Sequence, residues 1–189
     1  MSPHELSTDR LRLHRWTDAD RVAFAALNAD PVVMEHFPST LTLEQSNAFV
    51  DRAEAAFEQQ GLSLWAVEVT ESSLFAGYIG LWQATFEAHF TPAIEIGWRF
   101  AKEFWGNGYA TEGARVVLAD GFERLGVDEI VSFTATVNER SCRTVPGGGG
   151  GGALGGESST RERVYEVPCP GYGIVPRRAP RSEAESMSE

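Results

Sequence analysis

The chain has 189 residues, 42% hydrophobic and 23% charged, with a formal net charge of −11 and two cysteines. That is the make-up of a soluble globular chain with apolar residues enough for one domain's core. The acidity argues against a nucleic-acid backbone as partner, no apolar run reaches the ~20 residues of a membrane span, and Cys142 and Cys169 match no zinc or redox spacing. Met1 to Leu6 has neither the basic start nor the apolar stretch of a secretory signal, so a cytoplasmic location is expected. The negative charge suits a cationic small molecule or amine-bearing peptide, and equally suits solubility alone.

Leu11 to Trp16 alternates apolar and polar residues and predicts a first strand. Thr17 with Asp18 and Asp20 reads as an N-cap and acidic first turn, opening a helix to about Leu27. Pro31 starts a short helical turn to about His36. Thr42 and Gln45 have capping-box spacing, and the helix they open runs to Gln60, where Gly61 stops it. Phe49, Ala53, Ala56 and Phe57 recur at helical spacing and face the core. Three strands follow, Leu64 to Val69, Phe75 to Trp82 and Ala93 to Phe100, in a meander pattern. A helix from Thr111 to Leu125 and a strand from Glu129 to Val137 complete the order β, α, α, β, β, β, α, β. One helix crossing over between neighbouring strands implies one parallel pair. The expected class is α+β, a mixed and mostly antiparallel twisted sheet flanked by helices. Trp65, Trp82 and Trp98 are read as core residues, and no metal site is expected because His36 and His89 lack ligand spacing.

Between the Ala93–Phe100 strand and the next helix lies Phe104-Trp105-Gly106-Asn107-Gly108-Tyr109-Ala110-Thr111-Glu112. Two glycines one residue apart free the backbone to curl its N–H groups inward, and the helix N-terminus adds a positive field. Such a junction seats a phosphate or diphosphate, although ordinary turns into helices also use glycine. It follows the fourth strand, whereas a Rossmann fingerprint follows the first.

Together with Glu95-Ile96-Gly97-Trp98 before it and Asn138-Glu139-Arg140-Ser141 after it, this segment resembles the Gcn5-related N-acetyltransferases (GNAT), in the branch of ribosomal-protein-alanine acetyltransferases. The opening run Leu6 to Leu13 resembles that branch as well, and the resemblance covers about residues 6–143. It implies a V-shaped split between the fourth and fifth strands, and acetyl-CoA as co-substrate without a metal. Trp105 takes the Q/R position of the loop motif Q/R-x-x-G-x-G/A, Gly108 its glycine and Ala110 its last site. The resemblance gives Gly106, Asn107, Gly108, Tyr109 and Ala110 the diphosphate, with Thr111 in the first helical turn beside them. It gives the backbone of Trp98, Arg99 and Phe100 the pantetheine arm, and places Asn138 and Ser141 beside the thioester. The implied reaction is transfer of an acetyl group to a primary amine, on a protein N-terminus or a small molecule, by direct attack in a ternary complex. Glu35, His36 and Phe37 fall where the family shapes acceptor choice.

That reaction needs a base for the amine, a polarised carbonyl and an acid for the leaving thiolate. Glu95 is the candidate base; strand alternation puts it on one face with Gly97 and Arg99, opposite Ile94, Ile96 and Trp98. Its other reading is a surface carboxylate or a partner for Arg99. Ser141 is the candidate acid, and its other reading is a helix N-cap. Amides near Trp98 would polarise the carbonyl. Glu112 reads as a complement to the helix dipole or a packing residue. Two other functions stay open: a non-catalytic or inactive acyl-CoA-binding module, and a nucleotide-phosphate binder using the same loop.

After Arg143 the composition changes. Pro146 precedes six glycines, Gly147 to Gly152, and a Pro-, Arg-, Ser- and Glu-rich tail follows a short Val164-Tyr165-Glu166-Val167 patch. The division expected is therefore a GNAT-like domain at 1–143, lacking its C-terminal helix and last strands, and a weakly structured tail at 144–189. A change of reading frame near codon 142 would produce such a switch. The expected consequence is an exposed edge on the Glu129 strand and reduced stability.

Overall fold

The computed structural model describes residues 5–84, 91–134 and 163–168. Seven strands form one sheet in chain order: β1 Glu5–Ser7, β2 Leu11–His14, β3 Leu64–Val69, β4 Leu74–Ala84, β5 Ala93–Phe100, β6 Glu129–Thr134 and β7 Arg163–Pro168. Neighbours from β1 to β5 are antiparallel, and β5–β6 and β6–β7 are parallel. Three helices cover the sheet: α1 Asp18–Ala29, α2 Leu43–Gln60 and α3 Tyr109–Glu123.

The helix ends are set by side chains close in sequence. The Asp20 carboxylate accepts from the Thr17 N–H and hydroxyl at 2.7 and 2.6 Å. Thr42 and Gln45 satisfy each other's backbone N–H reciprocally, and Gly61 closes α2 in a left-handed conformation with φ 73°. Pro31 to His36 forms the expected turn: the Asp30 carboxylate takes the Val32 N–H, and the Asp30 carbonyl takes the Met34 N–H at 3.0 Å.

Strand alternation divides the interior into two layers. Leu11, Leu13, Val67, Ile79, Leu81, Ile96 and Ile130 pack under Val117 and Leu118 of α3. Leu64, Ala66 and Tyr78 pack under Phe24 and Leu27 of α1 and Val50 and Ala53 of α2. Each fully buried aliphatic side chain contributes about 1.5–3 kcal/mol. Close approach of α3 depends on Gly121, where a Cβ would meet Leu81 Cδ1 at 2.7 Å and Ile130 Cδ1 at 3.0 Å.

The functional consequence lies at β5. It pairs with β4 along all of Ala93–Phe100 but meets β6 only at Ile94↔Ile130 and Glu95↔Val131. Beyond Glu95 the two strands part, and this is the expected split. From there β5 runs on to Phe100 and into the loop that precedes α3.

Several boundaries differ from the sequence reading, and three differences change the architecture. The described residues open with a β1–β2 hairpin in place of a single strand. Helix α3 begins two residues earlier than Thr111, because Gly108 enters the left-handed region and lets the helix start at once. Residues 163–168, expected to be weakly structured, form β7 and pair along the whole of β6. The β6 edge expected to be exposed is thus covered. Val164, Tyr165 and Val167 are strong strand formers, and the open β6 edge supplies their backbone partners.

Candidate active site

The loop that follows β5 makes one 3-10 turn, Lys102–Phe104, and then passes through Gly106 at φ 80° and Gly108 at φ 78°. A residue with a Cβ is strained in that left-handed region, so glycine is required at both positions by conformation. Crowding is not the reason, since a Cβ on Gly106 would have nothing within 4 Å. Gly108 caps α3, and its carbonyl accepts the Glu112 N–H at 3.0 Å. The N–H groups at the start of the first turn, Tyr109 and Ala110, precede the helical hydrogen-bond ladder and carry its positive dipole end. Trp105 braces the loop: its Nε1–H donates to the Phe100 carbonyl at 2.8 Å, and its ring packs on both core layers.

A clamp from the start of the chain holds this loop. Arg10 donates through Nη1 to the Asn107 carbonyl at 3.1 Å and through Nε to Glu112 Oε2 at 2.7 Å. The Arg10 backbone N–H and the Thr8 hydroxyl donate to Glu112 Oε1, and the Arg10 guanidinium lies 4.8 Å from the Tyr109 ring centre. Burial pushes the Glu112 carboxyl up, but the bonds from Thr8 and Arg10 together outweigh it and hold the group below its ordinary 4.5. Glu112 is therefore more than a complement to the helix dipole. Its charge is absorbed by Arg10, which leaves the helix end attractive to an anion. Sequence reasoning missed Thr8 and Arg10, because nothing in the chain signals a partner about a hundred residues away.

Glu112→Gln is expected to lower stability at pH 7 by about 1–2 kcal/mol, the loss of charge-assisted bonds in a partly exposed pair. The native interaction is fully present above 4.5 and fades as pH falls through the lowered folded value, so wild type and variant should converge in acid. Urea melts of both at pH 7 and pH 3 check this.

Glu95 occupies the last β5 position paired with β6, the apex of the split. Its Oε1 lies 3.7 Å from where a Gly97 Cβ would be, which places both on one face as alternation predicts. Burial alone pushes its carboxyl up to about 7. Among the described residues no ion pair joins it to Arg99. The Arg99 side chain instead donates to Asn28 Oδ1 of α1 and lies over the Phe37 and Tyr78 rings at 4.0 and 5.5 Å. Half-buried Trp98 and buried Phe100 turn toward α3, so what β5 offers the split beyond Glu95 is backbone. Asn138 and Ser141 lie outside the described residues. Among the described residues no group of three His, Cys, Asp or Glu could hold a metal, and no helix is long and apolar enough to cross a membrane.

This site is thus a strand pair that parts at a half-buried carboxylate, facing a helix N-terminus shaped by two left-handed glycines. Comparison with known proteins gives consistent matches. The family description "Acetyltransferase (GNAT) domain" matches residues 10–145. The Bacillus subtilis protein YkkB is 32% identical over 140 residues, covering 74% of this chain and 80% of that protein. The Aspergillus fumigatus FsC-acetyl coenzyme A-N(2)-transacetylase is 42% identical over 105 residues, 52% of this chain and 43% of that protein. A crystal structure of an acetyltransferase from Agrobacterium tumefaciens superposes with a TM-score of 0.68 at 23% identity, covering 85% of this chain and 92% of that one.

Proposed function

Since the chain belongs to the GNAT acetyltransferases, we propose that it transfers an acetyl group from acetyl-CoA to a primary amine by direct attack in a ternary complex. Bound acetyl-CoA supplies a thioester carbonyl and a thiolate leaving group. In this reading the amides of Gly106, Asn107, Gly108, Tyr109, Ala110 and Thr111 hold the diphosphate. The backbone of Trp98, Arg99 and Phe100, beyond the point where β5 leaves β6, takes the pantetheine arm. Glu95 removes a proton from the amine, directly or through a water. A carboxyl raised to about 7 is matched to that task near neutral pH. The family resemblance assigns Asn138 and Ser141, which lie outside the described residues, to the thioester end, with Ser141 returning a proton to the thiolate.

The observation that carries this reading is the parting of β5 and β6 after Glu95, in front of the amide-bearing end of α3. The relative from Aspergillus has acetyl coenzyme A in its name, which supports the same donor. The test is thiol release from acetyl-CoA by the full chain, with a panel of peptide N-termini, amino acids and small amines. Release that depends on amine is expected. Acetyl-CoA binding with no release from any amine would replace the proposal with a non-catalytic acyl-CoA-binding module.

A further inference from the structure

We propose that the acceptor is an amine that also carries a carboxylate, and that Arg99 holds that carboxylate; this rests on the acetyl-transfer reading above. Arg99 is only 8% exposed. A buried guanidinium ordinarily has a carboxylate beside it, because an uncompensated buried charge is costly. Here no described residue provides one. Asn28 Oδ1 accepts one N–H, and the Nε–H is buried with no partner among the described residues. The guanidinium has five donors, so most of its capacity stays unused.

The arrangement around it is built, not incidental. Asn28 is fully buried, and its amide nitrogen donates to the fully buried Ser46 hydroxyl at 3.0 Å. That bond fixes the Asn28 carbonyl toward Arg99. Phe37 and Tyr78 supply aromatic faces, which recover only part of the cost of burying a cation. Phe37 is 38% exposed, so only this one ring at the surface covers the guanidinium on that side. A planar guanidinium with free donors in a low-dielectric setting matches a carboxylate in geometry as well as charge.

Position gives the group its role. Arg99 and Glu95 share one face of β5, four residues or roughly 13 Å apart along the strand. The Tyr78 phenol lies within electrostatic reach of both. Burial raises it first, Arg99 lowers it and Glu95 raises it. An acceptor placed with its amine at Glu95 thus has a cation farther along the same face. The spacing exceeds the single carbon between the charges of an α-amino acid. It suits short peptides and ω-amino acids, whose amine and carboxylate are well separated. In a chain of net charge −11, an anionic group is welcome only where such a local cation awaits it.

A purely structural Arg99, tying β5 to α1 through Asn28, predicts a loss of stability on substitution and no preference for acceptor charge. The experiment therefore reads preference. Acceptors come in pairs that differ only at one end: alanyl-alanine and its C-terminal amide, and 5-aminopentanoate and its amide. Wild-type protein is expected to favour the carboxylate member at least tenfold in kcat/KM, mainly through KM. Arg99→Gln is expected to bring that ratio to about one, and Arg99→Lys to restore part of it. A wild-type ratio near one, or a ratio kept by Arg99→Gln, overturns the proposal. Calorimetric titration of N-acetyl-alanyl-alanine and its amide into the CoA-saturated protein reads the same preference without turnover. Tighter binding of the free acid, lost in Arg99→Gln, supports Arg99 even if no amine is acetylated. Equal binding overturns it even if acetyl transfer is observed.

Discussion

Glu95→Gln is expected to slow acetyl transfer by about 10²–10⁴-fold, the usual contribution of a general base, and to make the protein more stable. Both effects have one cause. Glu95 is half-buried with no counter-charge among the described residues, and burial lifts its carboxyl from 4.5 to about 7. A carboxyl whose folded value lies above its unfolded one binds its proton more tightly in the folded state. The contribution of Glu95 to stability is therefore most favourable below 4.5, declines as pH rises toward 7, and levels off above. The penalty at pH 8 is about 3 kcal/mol, taking 1.36 kcal/mol for each pH unit. Glutamine has no charge to bury, so wild type and variant should melt alike at pH 4 and diverge by about that amount at pH 8. Wild-type kcat/KM should rise with pH to a plateau above 7, and the variant should lose that step. A variant within tenfold of wild type would remove Glu95 from the role of base. Equal stability at pH 8 would show that its burial costs nothing.

Gly108→Val is expected to weaken acetyl-CoA binding about 100-fold. A β-branched residue at φ 78° is strained, at roughly 1–2 kcal/mol even for alanine. The loop relieves that strain by rotating the peptide planes on either side of residue 108. Those planes carry the amides assigned to the diphosphate, and each charge-assisted bond lost costs about 1.5–3 kcal/mol. Gly126 provides the control. It also has a positive φ, 65°, with nothing within 4 Å of where a Cβ would stand, but it lies past the other end of α3. Gly126→Val should destabilise the fold comparably and leave acetyl-CoA affinity within about threefold. Calorimetric titration of acetyl-CoA into both variants separates the two effects. Equal losses of affinity would mean that the Gly108 backbone has no special part in binding.

Much of this architecture was legible because its causes are local. The capping pairs Thr17–Asp20 and Thr42–Gln45, the stop at Gly61, and the alternation in β2 and β5 are written within a few residues of where they act. The glycines of the loop were legible for the same reason, since left-handed turns leave few other residues available. The Arg10 clamp was not, because it joins the first hairpin to α3 across most of the domain. Nor was the Asn28–Ser46 pair under Arg99. Asn28 follows Leu27 at the end of a helix, where a polar residue looks like an ordinary surface position. The side chain of Arg99 lies on the Glu95 face, as strand alternation predicts, but its partner Asn28 was not legible. The β7 strand was missed because a run of glycines gives no hint that a partner edge waits beyond it.

The Arg10–Glu112 clamp also bears on how the protein comes into being. A chain emerging from the ribosome exposes Thr8 and Arg10 long before Glu112 exists to receive them, and closing so long a span is entropically slow. The hairpin can pair with β3 as soon as that strand exists, but its clamp waits until the third helix has been synthesised. The cleft is therefore among the last parts of the molecule to take shape, and no N-terminal fragment ending before that helix can possess it.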